Sequence, residues 1–149
     1  MSVACRRLIG WGLCAVVGLV LGFESASLAQ GKATTKAEPR PQPFWMARHE
    51  SFLKRAAEGH VDVLFVGDSI TQGWEGSGKA VWAKHFEPLK AANFGIGGDR
   101  TQHVLWRITE GKELQGIKPK AAVLMIGTNN MGSDSAEDIA DGVKAIVQE

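Results

Sequence analysis

Three loops of this 149-residue chain carry groups that could perform acyl transfer. Ser69 follows an apolar run, Gly98 lies in a glycine-rich loop, and Asn129 lies in a third loop. A serine at a sharp turn before a helix has an exposed hydroxyl, and nearby N–H groups favour the negative charge that develops on it. Glycine lets a backbone N–H approach a reacting oxygen closely, and an asparagine amide can donate to the same oxygen. These residues predict a serine nucleophile with an oxyanion hole.

Each of these features also has a purely structural interpretation. A serine after a strand can cap a helix, Gly97 and Gly98 can form a tight turn, and Asn129 can lie in a capped turn. Glycine-rich loops can also bind phosphate, but the chain has no Gly-x-x-x-x-Gly-Lys-Ser/Thr motif, and residues 95–98 lack the last glycine of a dinucleotide fingerprint. Thr71 replaces the second glycine of a Gly-x-Ser-x-Gly elbow. The three loops therefore have to be interpreted together.

The segments between these loops alternate between strand and helix patterns. A nearly continuous apolar run at residues 61–66 predicts a strand covered on both faces. Residues 91–96 predict a second, weaker strand, and the apolar run at residues 121–126 predicts a third buried strand. Helical spacing predicts helices at residues 44–58, 79–86, 101–110 and 135–147. The alternation predicts an α/β fold, a three-layer α/β/α sandwich with a parallel sheet. Because ligands bind beyond the carboxyl ends of parallel strands, we expect the three loops to meet at one edge of the sheet.

The amino end has the residue order of an export signal. Arg6 and Arg7 precede an uncharged run at residues 8–23, and Ser27 and Ala29 suit the −3 and −1 positions of a cleavage site. An uncleaved anchor helix is the alternative, but sixteen residues are fewer than the roughly 20 that cross a bilayer comfortably. We therefore predict a signal peptide at residues 1–29, a secreted or periplasmic protein, and no stable membrane anchor after cleavage.

The rest of the chain divides into a polar linker at residues 30–43 and a domain at residues 44–149. The 17 Lys and Arg residues nearly balance the 16 Asp and Glu residues. Because phosphate binding needs a local excess of positive charge, this balance argues against nucleic acid as a partner. Both cysteines lie in the predicted signal peptide, so the mature chain has no cysteine with which to form a disulfide.

Taken together, the three loops resemble the signature blocks of the GDSL, or SGNH, hydrolases. The Gly-Asp-Ser-Ile block at residues 67–70 resembles their first block, residues 95–99 their glycine block and residues 127–130 their asparagine block. Within that family the chain is most similar to the catalytic subunits of the platelet-activating-factor acetylhydrolase Ib type. That similarity rests on residues 62–69, 93–99, 103–107 and 117–120.

The resemblance implies a role for each site residue. Ser69 would be the nucleophile, and the Ser69 N–H, the Gly98 N–H and the Asn129 side-chain amide would form the oxyanion hole. The family works without a metal or organic cofactor on ester substrates, often acetyl esters. We therefore expect no cofactor and a small-molecule ester, on a lipid or a glycan, as the substrate.

A catalytic base is not evident in the sequence. The family takes its histidine and aspartate from a late Asp-x-x-His block, and none of the four histidines, His49, His60, His85 and His103, follows an aspartate at that spacing. We expect His49 and His85 to be at the surface or partly packed and His60 to lie at the wrong end of its strand. His103 follows the glycine block closely, but the resemblance gives it no role as the base. Glu149 lies inside a predicted helix, so we expect the domain to continue beyond it.

Two functions follow from these observations. The first is an exported esterase, of which residues 44–149 are the amino-terminal part, with negligible activity in this chain alone. The second is a non-catalytic module that binds an acyl or sugar group in the same cleft. The open sheet of an incomplete domain is expected to associate nonspecifically.

Further residues near the loops have expected roles. Trp74 is the best candidate to line an acyl pocket, whereas Trp45, Trp82 and Trp106 are expected to be core or sheet-covering residues. Asp68 should organise its turn through backbone N–H groups. Asp99 and Arg100 should pair locally or cap the next helix, and Ser133 or Ser135 should cap the last helix.

Overall fold

The computed structural model describes residues 32–149. The predicted signal peptide lies outside these residues, and so does the start of the predicted linker. Both stay predictions. No helix among the described residues is long and apolar enough to cross a membrane.

Among residues 32–149, three parallel strands form an open sheet. They are β1 (Val63–Gly67), β2 (Ala91–Gly95) and β3 (Ala121–Met125), in the spatial order β2-β1-β3. The last residues of the strands, Gly67, Gly95 and Met125, are in register with one another. The loops that follow the strands therefore start from the same edge of the sheet, as the sequence predicts.

In the described part of the chain, five α-helices surround the sheet. They are α1 (Pro43–Ala57), α2 (Ser69–Gln72), α3 (Lys79–His85), α4 (Thr101–Ile108) and α5 (Ala136–Gln148). Successive residues of a strand point to opposite faces, so Phe65 lies on one face of β1, and Leu64 and Val66 lie on the other. Phe65 packs against Trp82 and Phe86 beside α3, whereas Leu64 and Val66 belong to the core that includes α1 and α4. Helices therefore cover both faces of the sheet, which confirms the α/β fold.

The main core lies between β1, β2 and the helices α1, α4 and α5. Phe52 of α1 stacks on Phe94 of β2 with 4.5 Å between the ring centroids. Trp45 is fully buried, as expected for a core tryptophan. Helix α5 approaches α4 closely at Gly142, where a Cβ atom would lie 2.6 Å from the Thr101 hydroxyl oxygen. A larger residue at this position would push the two helices apart.

The third strand departs from its expected environment. Its apolar run predicts a strand covered on both faces, but Val123 is 44% exposed and Met125 is 46% exposed. Only the partly buried Leu124 packs against the main core. An apolar run indicates that a strand is more stable when both of its faces are buried. Among the described residues, however, β3 is an edge strand and no helix packs on its outer face. The expectation of full burial is therefore wrong for residues 32–149.

The described part of the predicted linker packs on the domain. Thr34 is 1% exposed, and its carbonyl oxygen accepts a 3.0 Å hydrogen bond from the Thr101 hydroxyl on α4. The Lys32 ammonium lies 3.0 Å from Asp138 and 2.8 Å from Asp141 of α5. These contacts hold the segment against α4 and α5, and from there it runs toward the loops at the carboxyl ends of the strands.

Candidate active site

Ser69 lies directly after β1 and is the first residue of α2. The buried Asp68 carboxylate occupies the N-cap position and accepts a 2.9 Å hydrogen bond from the Ile70 N–H. This bond fixes the turn and confirms the predicted role of Asp68. The Ser69 residue itself is exposed at this turn. Its hydroxyl is therefore available to a substrate at a helix N-terminus, where negative charge is favoured.

The glycine loop lies against the serine. A Cβ atom on Gly97 would be 3.7 Å from the Ser69 Cβ and 3.2 Å from the Gln72 Oε1. The Gly97 N–H donates a 2.7 Å hydrogen bond to that same Gln72 oxygen. Gln72 thus joins the nucleophile helix to the glycine loop. Sequence reasoning missed this residue, although its place one helical turn after Ser69 was a usable signal.

Gly98 adopts a backbone conformation that favours glycine. Its φ of +80° lies in the left-handed region, and a Cβ atom there would be 3.3 Å from the Arg40 guanidinium. No group among residues 32–149 accepts a hydrogen bond from the Gly98 N–H. The backbone donor that the sequence singles out is thus free of protein partners in the described part of the chain.

Asn129 links all three loops. Its Nδ2 donates a 2.8 Å hydrogen bond to the Asp99 carbonyl oxygen and a 3.3 Å bond to Asp68 Oδ2. The neighbouring Asn130 is fully buried, and its Oδ1 accepts a 3.0 Å bond from the Thr101 N–H at the start of α4. Asn130 therefore holds the loop in place, while Asn129 presents its amide at the meeting point of the loops.

Asp99 is the best-anchored residue of the glycine loop. Its fully buried carboxylate accepts a 2.7 Å hydrogen bond from Trp45 Nε1 and lies 3.1 Å from Arg40 Nη1 and 3.0 Å from Arg107 Nε. Burial raises the pKa of Asp99 above its ordinary value, and the positive charge of Arg107 opposes that rise. The expected ion pair with Arg100 is wrong, because Asp99 pairs instead with Arg40 of the segment before α1 and with Arg107 near the end of α4. Arg100 instead occupies the N-cap position of α4, the other predicted role for this pair.

A buried chain of charges continues from Arg107. Its Nη1 donates hydrogen bonds to the Phe94 carbonyl oxygen at 3.0 Å and to Glu113 Oε2 at 2.9 Å. The other Glu113 oxygen lies 2.7 Å from His49 Nδ1. His49 is 5% exposed, which corrects the expectation that it lies at the surface or is partly packed. Its partner Glu113 is remote in sequence, so helical spacing alone could not have shown this burial.

The four histidines do not provide an evident base for Ser69. His60 and His85 are exposed, and His60 lies before β1 at the amino end of the sheet. The Nδ1 of His103 accepts a 3.0 Å hydrogen bond from the Arg100 N–H. Burial and the charges of nearby arginines lower the pKa of His103 to about 4. The ring of His49 packs between Trp45 and Trp106.

Trp74 does not line a pocket around Ser69. It packs edge-on against Phe65 and Phe86 and is tilted against Trp82, in a cluster of four aromatic rings. This cluster borders a cavity of about 480 Å³ between α1, α3 and β2, and Ser69 is not among the residues that line it. The expectation of an acyl pocket at Trp74 is therefore wrong for the described residues, while Trp82 covers the sheet as expected.

No group of three or more metal-ligating side chains among residues 32–149 is arranged to hold a metal ion. The polar groups where the three loops meet include the Asn129 amide and the Asp68 carboxylate. Such a set can hold an ester oxygen and fix a turn.

The fold and the three-loop site define a GDSL-type α/β hydrolase domain. The model of the GDSL-like Lipase/Acylhydrolase family matches residues 65–149, and the chain belongs to this family. Platelet-activating factor acetylhydrolase IB subunit alpha2 from Homo sapiens and from Rattus norvegicus are each 49% identical over 104 residues. Subunit alpha1 from Bos taurus is 47% identical over the same length.

These matches cover 70% of this chain but only 43–44% of the relatives, so the chain spans less than half the length of the curated proteins it matches. A solved structure provisionally described as a platelet activating factor from Streptococcus pneumonia aligns with a TM-score of 0.50 and 20% identity. That alignment covers 70% of this chain and 49% of the other. At this identity the likeness supports the fold alone.

Proposed function

We propose that the protein carrying this chain is a serine carboxylic ester hydrolase that acts on small acyl esters, of the acetyl type, on lipids or glycans. The observation that carries the proposal is the approach of the glycine loop to an exposed Ser69, with 3.7 Å between a Gly97 Cβ position and the Ser69 Cβ. Membership of the GDSL-like lipase and acylhydrolase family supports the reaction class.

The proposed reaction begins when Ser69 Oγ attacks the ester carbonyl carbon. The Ser69 N–H, the Gly98 N–H and the Asn129 amide hold the oxygen as it becomes negative. The alcohol then leaves, an acyl group remains on Ser69, and water releases the acid and regenerates the serine. Each donor of such an oxyanion hole typically contributes about 2.7–4 kcal/mol of transition-state stabilisation.

The Asn129 amide has to exchange one partner to take part. Its bond to the Asp99 carbonyl oxygen is 2.8 Å long, and its bond to Asp68 is 3.3 Å long. The longer bond is weaker and is the one that a substrate oxygen would replace. The shorter bond then keeps the side chain in position during the reaction.

We propose that the base comes from an Asp-x-x-His block that follows Glu149 in the complete protein. The surroundings of His49 and His103 support this proposal. The His49 ring is buried against Trp45 and Trp106, and His103 Nδ1 accepts the Arg100 N–H, which leaves the proton on Nε2. The exposed His60 lies at the opposite end of β1 from Ser69. A nucleophilic serine needs a base within hydrogen-bond reach, so the 149-residue chain alone should turn over little substrate.

Hydrolysis of p-nitrophenyl acetate tests the proposed function. We expect the complete protein to hydrolyse this ester and the Ser69→Ala variant to lose activity by about 10³-fold or more. Ser77→Ala serves as the matched control, because Ser77 is an exposed serine in the turn before α3. Equal activity of the Ser69→Ala variant and the wild type would overturn the assignment.

A non-catalytic binding module is the second candidate. The observation in its favour is that neither the half-buried nor the buried histidine of the described residues offers Ser69 an acceptor nitrogen. His49 is buried against two tryptophan rings, and His103 accepts the Arg100 N–H at Nδ1, so its proton is on Nε2. If the reading frame beyond Glu149 contains no Asp-x-x-His block and the protein binds an acetylated ligand without turnover, this candidate replaces the esterase.

We further propose that the protein is exported, with cleavage before Gln30. The support is the order of Arg6 and Arg7, an uncharged run at residues 8–23, and the small residues Ser27 and Ala29. Amino-terminal sequencing of the mature protein tests the proposal. A mature chain that starts at Gln30 supports it, and an intact Met1 in a cytosolic fraction contradicts it.

A further inference from the structure

The carbonyl oxygen of Gly97 and the N–H of Gly98 belong to one peptide group. The described backbone contains no cis peptide bond, so these two groups point in opposite directions from a planar unit. Any contact that fixes the carbonyl oxygen also fixes the direction of the N–H. The Gly98 N–H is the backbone donor that the proposed oxyanion hole takes from this loop.

Arg40 binds this carbonyl oxygen. Its Nη1 donates a 2.9 Å hydrogen bond to the Gly97 oxygen, and the guanidinium lies over Gly98. The same Nη1 lies 3.1 Å from the buried Asp99 carboxylate. Arg40 is 16% exposed, so water screens these contacts only partly.

A positive donor on the carbonyl oxygen also changes the electronic character of the peptide. Charge-assisted hydrogen bonds are stronger than neutral ones, and a hydrogen bond to a C=O polarises the N–H of the same peptide group. That N–H becomes a better donor to a developing oxyanion. Gln72 anchors the preceding N–H of Gly97, so the loop is held from both sides.

We propose that Arg40 is a positioning residue of the active site, which orients and polarises the Gly97–Gly98 peptide so that the Gly98 N–H can stabilise the oxyanion. The inference rests on the proposed function. Arg40 belongs to the segment before α1, which the sequence predicts to be a polar linker. By this proposal, that segment helps to position the glycine loop.

The test compares Arg40→Met, Arg40→Lys and the matched control Arg55→Met. Arg55 also donates to a glycine carbonyl oxygen, that of Gly59 at 2.8 Å, but at the end of α1 away from the site. In the complete protein we expect Arg40→Met to lower kcat about tenfold, with KM changed by less than about twofold, because the contact matters in the transition state. Arg40→Lys should recover part of the loss, and Arg55→Met should leave both constants unchanged.

The amide proton of Gly98 gives a second measurement that does not need turnover. In ¹H–¹⁵N spectra of the folded protein, we expect this proton to move upfield in Arg40→Met and less so in Arg40→Lys. If Arg40→Met does not fold, the Arg40→Lys spectrum decides. Wild-type kcat together with an unmoved Gly98 amide in a folded variant would overturn the proposal. If the wild type shows no Ser69-dependent hydrolysis, the proposed function fails, and the Gly98 amide alone decides whether Arg40 positions the peptide.

Discussion

At the scale of single residues, the neighbours of His103 determine its protonation state and its hydrogen bonds. Its Nδ1 accepts a hydrogen bond from the Arg100 N–H, which leaves the proton on the other ring nitrogen. Burial and the positive charges of Arg40, Arg100 and Arg107 lower its pKa to about 4. The ring is therefore neutral at pH 7 and serves as an acceptor for the start of α4.

The lowered pKa of His103 makes stability depend on pH. Between pH 6.5 and about 4 the unfolded chain binds a proton at this residue and the folded chain does not, so the free energy of unfolding falls as pH falls through this window. We expect His103→Asn, which retains an acceptor near the Nδ1 position, to reduce the total fall by roughly 3 kcal/mol. Urea unfolding at several pH values measures this.

The exposed His85 provides the control for that experiment, since His85→Asn leaves the contacts of the site intact. Identical pH profiles for His103→Asn and the wild type would contradict the account.

The candidate catalytic residues could be predicted from the sequence, but the residues that hold them in position could not. Ser69 and Asn129 follow apolar strands, and parallel topology brings the ends of such strands together. Arg40 lies in a polar segment without periodicity, so nothing in the sequence connects it to Gly97. Arg107 offered a weak signal, because it lies on the same helical face as the buried Val104.

At the scale of elements, the apolar runs were reliable guides to the strands and helices. β1, β2 and β3 begin and end within two residues of their predicted bounds, and Ser135, one of two predicted caps, caps α5 by accepting from the Asp138 N–H at 3.1 Å. Burial of β3 was not predictable in the same way. Hydrophobicity indicates which residues are more stable when buried, but it does not show which elements bury them. In the described residues no element packs on one face of β3.

The buried charges around Arg107 join α4 to the glycine loop, to β2 and to the segment after α4. Arg107 contacts Asp99 of the glycine loop, Glu113 after α4 and the Phe94 carbonyl oxygen of β2. We expect Arg107→Met to lower the free energy of unfolding by about 3–5 kcal/mol, because two carboxylates lose their buried partner. Urea unfolding of the complete protein measures the change.

The pair of half-buried Arg55 and exposed Glu58 supplies the comparison, with 3.7 Å between charged atoms. Arg55→Met should cost no more than about 2 kcal/mol, because it loses a weak surface ion pair and one hydrogen bond to the Gly59 carbonyl oxygen. Equal losses for Arg55→Met and Arg107→Met would show that the buried network does not stabilise the fold.

At the scale of the whole molecule, we expect the open face of β3 to promote association between chains. Val123 and Met125 expose apolar surface beside a strand edge, and such edges tend to pair with other chains. We expect the purified chain to associate at micromolar concentration and Val123→Lys to reduce that association. Sedimentation velocity measures the fraction of monomer.

Val81→Lys is the control, because it makes the same substitution at a position away from β3. Val81 is 49% exposed on α3, close to the 44% of Val123, but it lies away from β3. This variant should associate as the wild type does. An equal shift toward monomer in both variants would mean that added charge alone, and not the β3 face, explains the effect.

Covalent labelling tests whether Ser69 is the nucleophile of the site. The complete protein is treated with a fluorophosphonate ester, and the modified peptide is located by mass spectrometry, with Ser69→Ala as the control. We expect one adduct on the peptide that contains Ser69 and none in the variant. An adduct on a different residue, or equal labelling of Ser69→Ala, would contradict it.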